Sequence, residues 1–510
     1  MDYTLEKQSV CTASSALDTV VQQLVDVDLT LPDYCPDIQK ILKCMMTPKI
    51  FTKNISGGQL QIDGTTEVKI VYCDGIQKHF RCCEQLVPFT VAIPLKSSPE
   101  NYAAIADAKV EYINCRALSP RRLVIHGAFS LYAKVIAKGT VDLFSPVEDE
   151  TLQTKCLNTE CLKLSSFCQE EIPINEEITL ENKPPVESVI KSSLSISTLE
   201  CKAIPSKLLL NGELNLRLLY LSDIDTGNLE NIDYILPFSH IVDCEGVNEN
   251  TVNKNKSQIS CFDIRLRSDP GEESPVISLE AKITFTHMGF EKFGCQVISD
   301  AFSTKYRTNT DTVQCSLLKD VSSIKETIMH KANISAENTG LDEIVEIYSE
   351  YCTLTPLISD DTLTLNGKMN ICVFARDKEK TPMYLERTTE FKHTIAAGAG
   401  FNSISDCRAK VASISYRLNE NGGIDLRCEI KLSAVLEFKE NTGCVCAVHT
   451  VEDSPVNSSD SAVIVYFAQK GESVWEITKA YHSPYSLMLE ENNITAEVLT
   501  EPKTLIIPLL

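Results

Sequence analysis

The chain has 510 residues, too many for one compact core, and predicts three or four domains. Its 48 basic and 70 acidic residues leave a net charge of −22, which excludes nucleic acid or an anionic membrane as the main partner, because phosphate surfaces need clustered Lys and Arg. Hydrophobic residues make up 43% and charged residues 23%, which excludes a disordered chain.

The 21 Cys are an odd number, so they cannot all pair within one chain. No apolar run, 504–510 included, approaches the ~20 residues of a membrane-spanning helix. The first fourteen residues lack the apolar core of a secretory signal, so the expected compartment is a reducing cytosol. There is no Cys-x-x-Cys, so no structural metal and no cofactor is expected, and Cys372 and Cys428 read as small buried hydrophobes.

Along the chain, one set of features recurs three times. A short amphipathic helix is predicted over 36–42, with Ile38, Ile41 and Leu42 at i, i+3, i+4. Gly64 then opens the alternating run Val68, Ile70, Tyr72, a half-buried strand, and Phe89 follows. In the second copy the helix carries Val186, Val189 and Ile190, the strand Gly212, Leu216, Leu218 and Tyr220, and the aromatic is Phe238. In the third they are Leu341, Ile344 and Val345, then Gly367, Met369, Ile371 and Val373, then Phe391. Each glycine lies 26 residues after the first apolar helix residue, and each Phe 25, 26 and 24 residues after its glycine. Asn421-Gly422-Gly423 reads as a hairpin turn before the strand 424–432. The predicted class is mainly β: three tandem antiparallel repeats, sandwich- or barrel-like, each with a short helix. They span 1–148, 149–306 and 307–451, followed by a polar linker at 452–461.

The remaining residues, 462–510, predict a small α+β module in the order strand, helix, helix, strand (βααβ). Val463 to Ala468 is the first strand. Ser473 with Glu476 reads as a capping box, Ser483-Pro484 as the start of a second helix ending near Asn492, and Leu505 to Ile507 as a strand stopped by Pro508. Tyr466, Gly471, Glu472, Ser473, Val474, Trp475 and Ile477, then Leu489 to Asn493, then Leu505 to Pro508, resemble the signature of the LysM family. That resemblance covers about a tenth of the chain and contains its only Trp. It implies a module that binds N-acetylglucosamine polymers such as peptidoglycan. The binding groove would be formed by Lys470, Gly471, Glu472, Ser473 and Val474, with Asn493, Ile494 and Thr495, and Trp475 would be core. Glu501-Pro502 stands where the family has Pro-Gly, and six Glu against three Lys make the module acidic.

Leu31-Pro32-Asp33-Tyr34-Cys35-Pro36-Asp37-Ile38 and the Gly64–Tyr72 strand are similar to the repeated β domain of clostridial sporulation proteins, whose biochemical function is unknown. Three such repeats and one LysM module resemble the clostridial spore coat morphogenesis family. The resemblance implies a scaffold in the mother-cell cytoplasm, at the forespore surface and spore coat, whose LysM module binds a SpoIVA-like spore coat morphogenetic ATPase. The alternative is a peptidoglycan-binding protein. No enzyme is expected: the eight His are scattered, and neither a P-loop nor Gly-x-Ser-x-Gly occurs.

Overall fold

Each glycine-led apolar run is a central strand of an antiparallel sheet, three-stranded in the first two repeats and four-stranded in the third, in the computed structural model, which describes residues 2–97, 99–146, 149–180, 183–267, 276–335, 340–359, 361–419, 423–455 and 463–508. The first group of strands is β1 (Asp2–Tyr3), β2 (Glu6–Thr30), β3 (Ile38–Ser56), β4 (Gln59–Asp74), β5 (Phe80–Pro94), β6 (Tyr102–Ser119) and β7 (Arg122–Ser145). The second is β8 (Leu152–Thr179), β9 (Ser188–Ile204), β10 (Lys207–Asp223), β11 (Asn228–Asp243), β12 (Val252–Arg267) and β13 (Val276–Ser303). The third is β14 (Tyr306–Ile334), β15 (Leu341–Tyr348), β16 (Cys352–Ser359), β17 (Thr362–Asp377), β18 (Pro382–Ala396), β19 (Ser403–Leu418) and β20 (Ile424–Pro455).

The same pairing recurs. Sheets β3-β4-β5 and β2-β7-β6 enclose the first apolar core, β9-β10-β11 and β12-β13-β8 the second. The third core lies between β15/β16-β17-β18 and a sheet of β14, β19 and β20, on which β1 also pairs. The mainly β class is therefore the observed one. The strand glycines and the Phe residues are cross-strand partners: Gly64 with Phe89, Gly212 with Phe238, Gly367 with Phe391. The varying offset of 24–26 residues follows from the length of the connecting turns.

The short helix expected in each repeat does not form. Residues 38–42 begin β3, 188–190 begin β9 and 341–345 begin β15. Leu42, Ile190 and Val345 each fall at a register shift, a β-bulge that sets two residues against one. Additional shifts at Gln39 and Asp342 stretch the inward repeat from two residues to three. A bulged strand buried on both faces thus reproduces the i, i+3, i+4 pattern of a helix.

The bulged residues point away from the sandwich cores into a shared hub. Leu42 and Ile190, with Val345 packed beside them, meet Val71, Leu219 and Phe374, each seven residues after its strand glycine. The outer ends of the long strands form a second junction from Val10 and Leu143, Cys161, Cys295 and Val297, and Cys315, Leu317 and Cys444. All 21 cysteines are free thiols, and Cys11 is exposed while nine are buried. Residues 452–455, expected in a linker, continue β20, whose Pro455 pairs with Tyr306. The rest of that linker, 456–461, and the turn residues Asn421 and Gly422 lie outside the described residues.

Candidate functional site

The C-terminal module consists of β21 (Ile464–Ala468), α1 (Val474–Ala480), α2 (Tyr485–Glu491) and β22 (Lys503–Ile507). β21 and β22 pair antiparallel from Ile464–Ile507 to Ala468–Lys503. Alternation sends Ala468, Leu505 and Ile507 onto Val474, Ile477 and Met488 of the helices. It leaves Val465, Phe467 and Ile506 on the opposite face, with Phe467 71% exposed.

Two local expectations are corrected. Ser473 does occupy the N-cap of α1, but its side chain makes no capping bond, and its Oγ is buried without a partner. Ser483 does not cap α2: Pro484 holds that position, and Ser483 Oγ donates to the Pro508 carbonyl at 2.7 Å. The backbone around Ser473 is engaged instead by the stretch 497–499, through the bridge Ser473–Val498.

That engagement changes the groove. Gly471 N–H donates to Leu499 O at 2.8 Å, Val474 N–H to Glu497 O at 2.8 Å and Glu472 N–H to Gln469 O at 3.3 Å. Three amides that would address an acetamido group are therefore consumed within the chain. Glu472 accepts from Tyr466 Oη and from the Gln469 amide. Val474 is fully buried and cannot touch a ligand, which corrects its place among the groove residues. Lys470, Gly471, Asn493 and Thr495 are exposed, and Ser473 and Ile494 half-buried. Gly471 (φ +91°) and Asn493 (φ +51°) occupy the left-handed region at the two loop bends. Among the described residues, the backbone hydrogen bonds of 470–474 and of 493–495 run to other partners and not to each other.

Trp475 is core, as expected, but the core belongs partly to another unit. Its ring packs edge-on against Phe302 of β13 (5.1 Å) as well as Tyr485 (5.4 Å), and its Nε1 donates to Asp300 Oδ2 at 2.7 Å. Lys479 Nζ bonds both Asp300 oxygens, at 2.7 and 2.8 Å. Burial pushes the Asp300 carboxyl up, but the bonds from Lys479 and Trp475 outweigh it and hold the group below the usual range. His482 Nδ1 donates to Ser303 O at 2.8 Å, the Tyr485 amide donates to Gln153 Oε1 at 3.1 Å, and Lys155 pairs with Glu497. The module is thus seated on the ends of β8 and β13. Asp300 carries no sequence signal: it is one of 70 acids, in a strand with no motif.

Two further constellations lie in the β body. Ser166 Oγ is 2.9 Å from His287 Nε2, and His287 Nδ1 is 2.7 Å from Asn255 Oδ1. With the amide oxygen accepting, Nδ1 donates and Nε2 accepts from Ser166, the order of a nucleophile, base and orienting group. Both Ser166 and His287 are wholly buried, so no substrate reaches them and the chain of bonds is structural. Sequence spacing cannot reveal it, because its members stand on β8, β12 and β13. Elsewhere Glu350, Cys372 and Glu386 bring ligating atoms within 4.8 Å of one another. The Lys43 ammonium bonds both carboxylates at 2.9 Å, so a side-chain cation already bridges the group.

Residues 37–118 and 185–266 match the family model SipL, SPOCS domain. Both segments start just before a bulged strand, β3 or β9, and end within β6 or β12. Their starts and ends are each 148 residues apart, the spacing of the first two repeats. No curated protein and no solved structure matches the chain. The two matches cover about a third of it and mark a SipL-like, sporulation-related protein. No helix among the described residues is long and apolar enough to cross a membrane.

Proposed function

We propose that this chain is a non-enzymatic sporulation scaffold that docks the spore coat onto the forespore surface. Its LysM-like module binds a coat-basement protein, a SpoIVA-like ATPase, and the chain works in the mother-cell cytoplasm. The two SPOCS-domain matches support the sporulation setting. The observation that carries a protein partner over a glycan is the internal use of the amides of Gly471, Glu472 and Val474. A sugar that relies on loop amides finds these three already satisfied, and would have to displace bonds the chain makes to itself. The module's acidic balance and its apolar outer face, Val465, Phe467 and Ile506, suit a protein surface better than an anionic wall polymer.

The test is retention of the purified chain on insoluble peptidoglycan and on the immobilised ATPase. Retention on the ATPase alone is the expected result, and sugar-dependent retention without ATPase binding overturns the reading in favour of peptidoglycan. Ser473→Arg together with Asn493→Arg should weaken ATPase retention at least tenfold while Trp475 fluorescence stays native. Unchanged retention would move the contact to the Phe467 face, which Phe467→Glu then abolishes.

A further inference from the structure

The outer face of the third repeat breaks the charge pattern of the other two. Along β20, Ile424, Leu426, Cys428, Ile430 and Leu432 are buried in the sandwich core, so Asp425, Arg427, Glu429, Lys431 and Ser433 point the other way. Strand register extends this face to both neighbours. On β19, Arg417 stands opposite Asp425 and Lys410 opposite Lys431. On β14, Lys331 stands opposite Arg427 and Lys325 opposite Ser433. Six cations thus share the face with two acids, Asp425 and Glu429, a local +4 on a chain of −22.

The six cations are exposed, and among the described residues none of them forms an ion pair with a carboxylate. The two acids are held by neutral donors instead. Asn333 Nδ2 donates to Asp425 Oδ1 at 2.6 Å, and Ser413 Oγ to Glu429 Oε2 at 3.0 Å. The corresponding faces of the other repeats are built differently. In the first, Lys134 pairs with Asp18 at 2.8 Å and Arg122 with Asp28. In the second, Arg267 pairs with Glu177 at 3.0 Å and Arg265 with Glu280 at 3.3 Å. Like charges directly opposite each other across a ladder destabilise it, so the Lys410–Lys431 pair costs the fold and gains nothing within it. The Lys410 ammonium reaches β9, where burial and the charges of Lys431 and Arg217 push it down to about 8.

We propose that this face is a further docking surface, separate from the terminal module, and that its occupant is an acidic, extended segment of a partner protein. The shape favours a peptide over a flat membrane. Lys410 Nζ donates to Ile196 O at 3.1 Å and Lys431 Nζ to Ser197 O at 3.2 Å, so β9 of the second repeat walls one end of the face into a corner. The other end opens into a surface pocket of about 650 Å³ lined by Lys331, Asn333, Ser415, Arg417, Asp425 and Arg427. The two cation groups centre on Arg427 and Lys431, about 13 Å apart along β20, so carboxylates at i and i+4 of an extended segment reach one group each. Size favours a peptide over nucleic acid. Screening confines the field of the face to about 8 Å at physiological salt, so a short ligand inside it meets the +4, whereas a long polyanion also meets the acids of the remaining surface.

The test is fluorescence anisotropy of labelled decaglutamate titrated with the full-length chain at low salt. The expected result is saturable binding that falls steeply as salt rises. Arg427→Glu with Lys431→Glu should weaken it about tenfold or more. Lys134→Glu with Arg265→Glu makes the same charge change on the other two faces and should leave binding within about twofold. Circular dichroism checks that both variants keep the β fold. No saturable binding, or equal loss in the two variants, would overturn the proposal. So would tighter binding of phosphatidylserine vesicles or duplex DNA that Arg427→Glu with Lys431→Glu abolishes, or self-association of the chain lost in that same variant.

Discussion

A glycine in the middle of a strand normally weakens it, yet each repeat places one there under an aromatic ring. A Cβ on Gly367 would approach the Phe391 ring to 2.1 Å, on Gly212 the Phe238 ring to 2.7 Å, and on Gly64 the Phe89 ring to 2.4 Å. The ring covers backbone that the missing side chain would expose, which is why the two residue types recur together. The pair is local to a hairpin, so it is legible in sequence as an offset of 24–26 residues. The His287 contacts are not legible, because they join three strands. Burial alone lowers the His287 pKa to about 4, so the folded state keeps it neutral where an unfolded chain would protonate near its ordinary value. The unfolded state therefore binds more protons as pH falls from ~6.5 to ~4, and stability falls by up to about 3 kcal/mol over that window. Denaturant titrations at several pH values should show this loss in the native chain and a flatter curve in His287→Gln. Parallel curves would refute it. A fluorophosphonate probe should leave buried Ser166 unlabelled.

Among the elements, the bulged strands are the ones the sequence misrepresents. Ile38, Ile41 and Leu42 have helical spacing, but the spacing arises from extra residues in an extended strand whose two faces serve two cores. The neighbouring runs Val68–Cys73 and Leu216–Leu221 carry the missing signal. They are nearly continuous in apolar residues, the mark of a strand covered on both sides. The C-terminal module is the converse case: its four elements are local and were legible. Its seat on β13 is not, because Asp300 and Trp475 are 175 residues apart. Asp300→Ala removes the acceptor of the Trp475 and Lys479 bonds, an effect of about 2–3 kcal/mol for charged hydrogen bonds. The single Trp reports this directly. Its emission should shift to longer wavelength while the far-ultraviolet dichroism of the β body stays unchanged. An unshifted spectrum would mean the module keeps its seat without Asp300.

Over the whole molecule, the three repeats are joined through cores as dry as their own. Phe374 of the third repeat meets Phe80 of the first edge-on at 5.9 Å, and Leu219 and Ile190 of the second line the same hub. A shared core of this kind couples the units, so thermal unfolding of the β body should appear as one calorimetric transition. Phe374→Ala should lower stability by about 3–5 kcal/mol and move that whole transition downward. Two transitions, with only the third repeat displaced, would show that the hub does not couple the repeats. The −22 charge is compatible with this assembly because most acids lie on outer faces, while Lys43 and Lys53 pair with acids of another repeat and Lys69 donates to the Val189 carbonyl of the second.

The amino-acid sequence by itself determined the β class, the threefold repetition, the Gly–Phe hairpins and the fold of the small terminal module. Each of these is written in periodicity or spacing within a few tens of residues. Only the tertiary structure decided that the bulged strands face a common hub, that the amides of Gly471 and Val474 are already spent on 497–499 and that of Glu472 on Gln469, and that Trp475 closes an interface with Asp300. Those outcomes depend on which residues distant in the chain compete for the same hydrogen bonds and the same dry volume, and no local pattern records that competition.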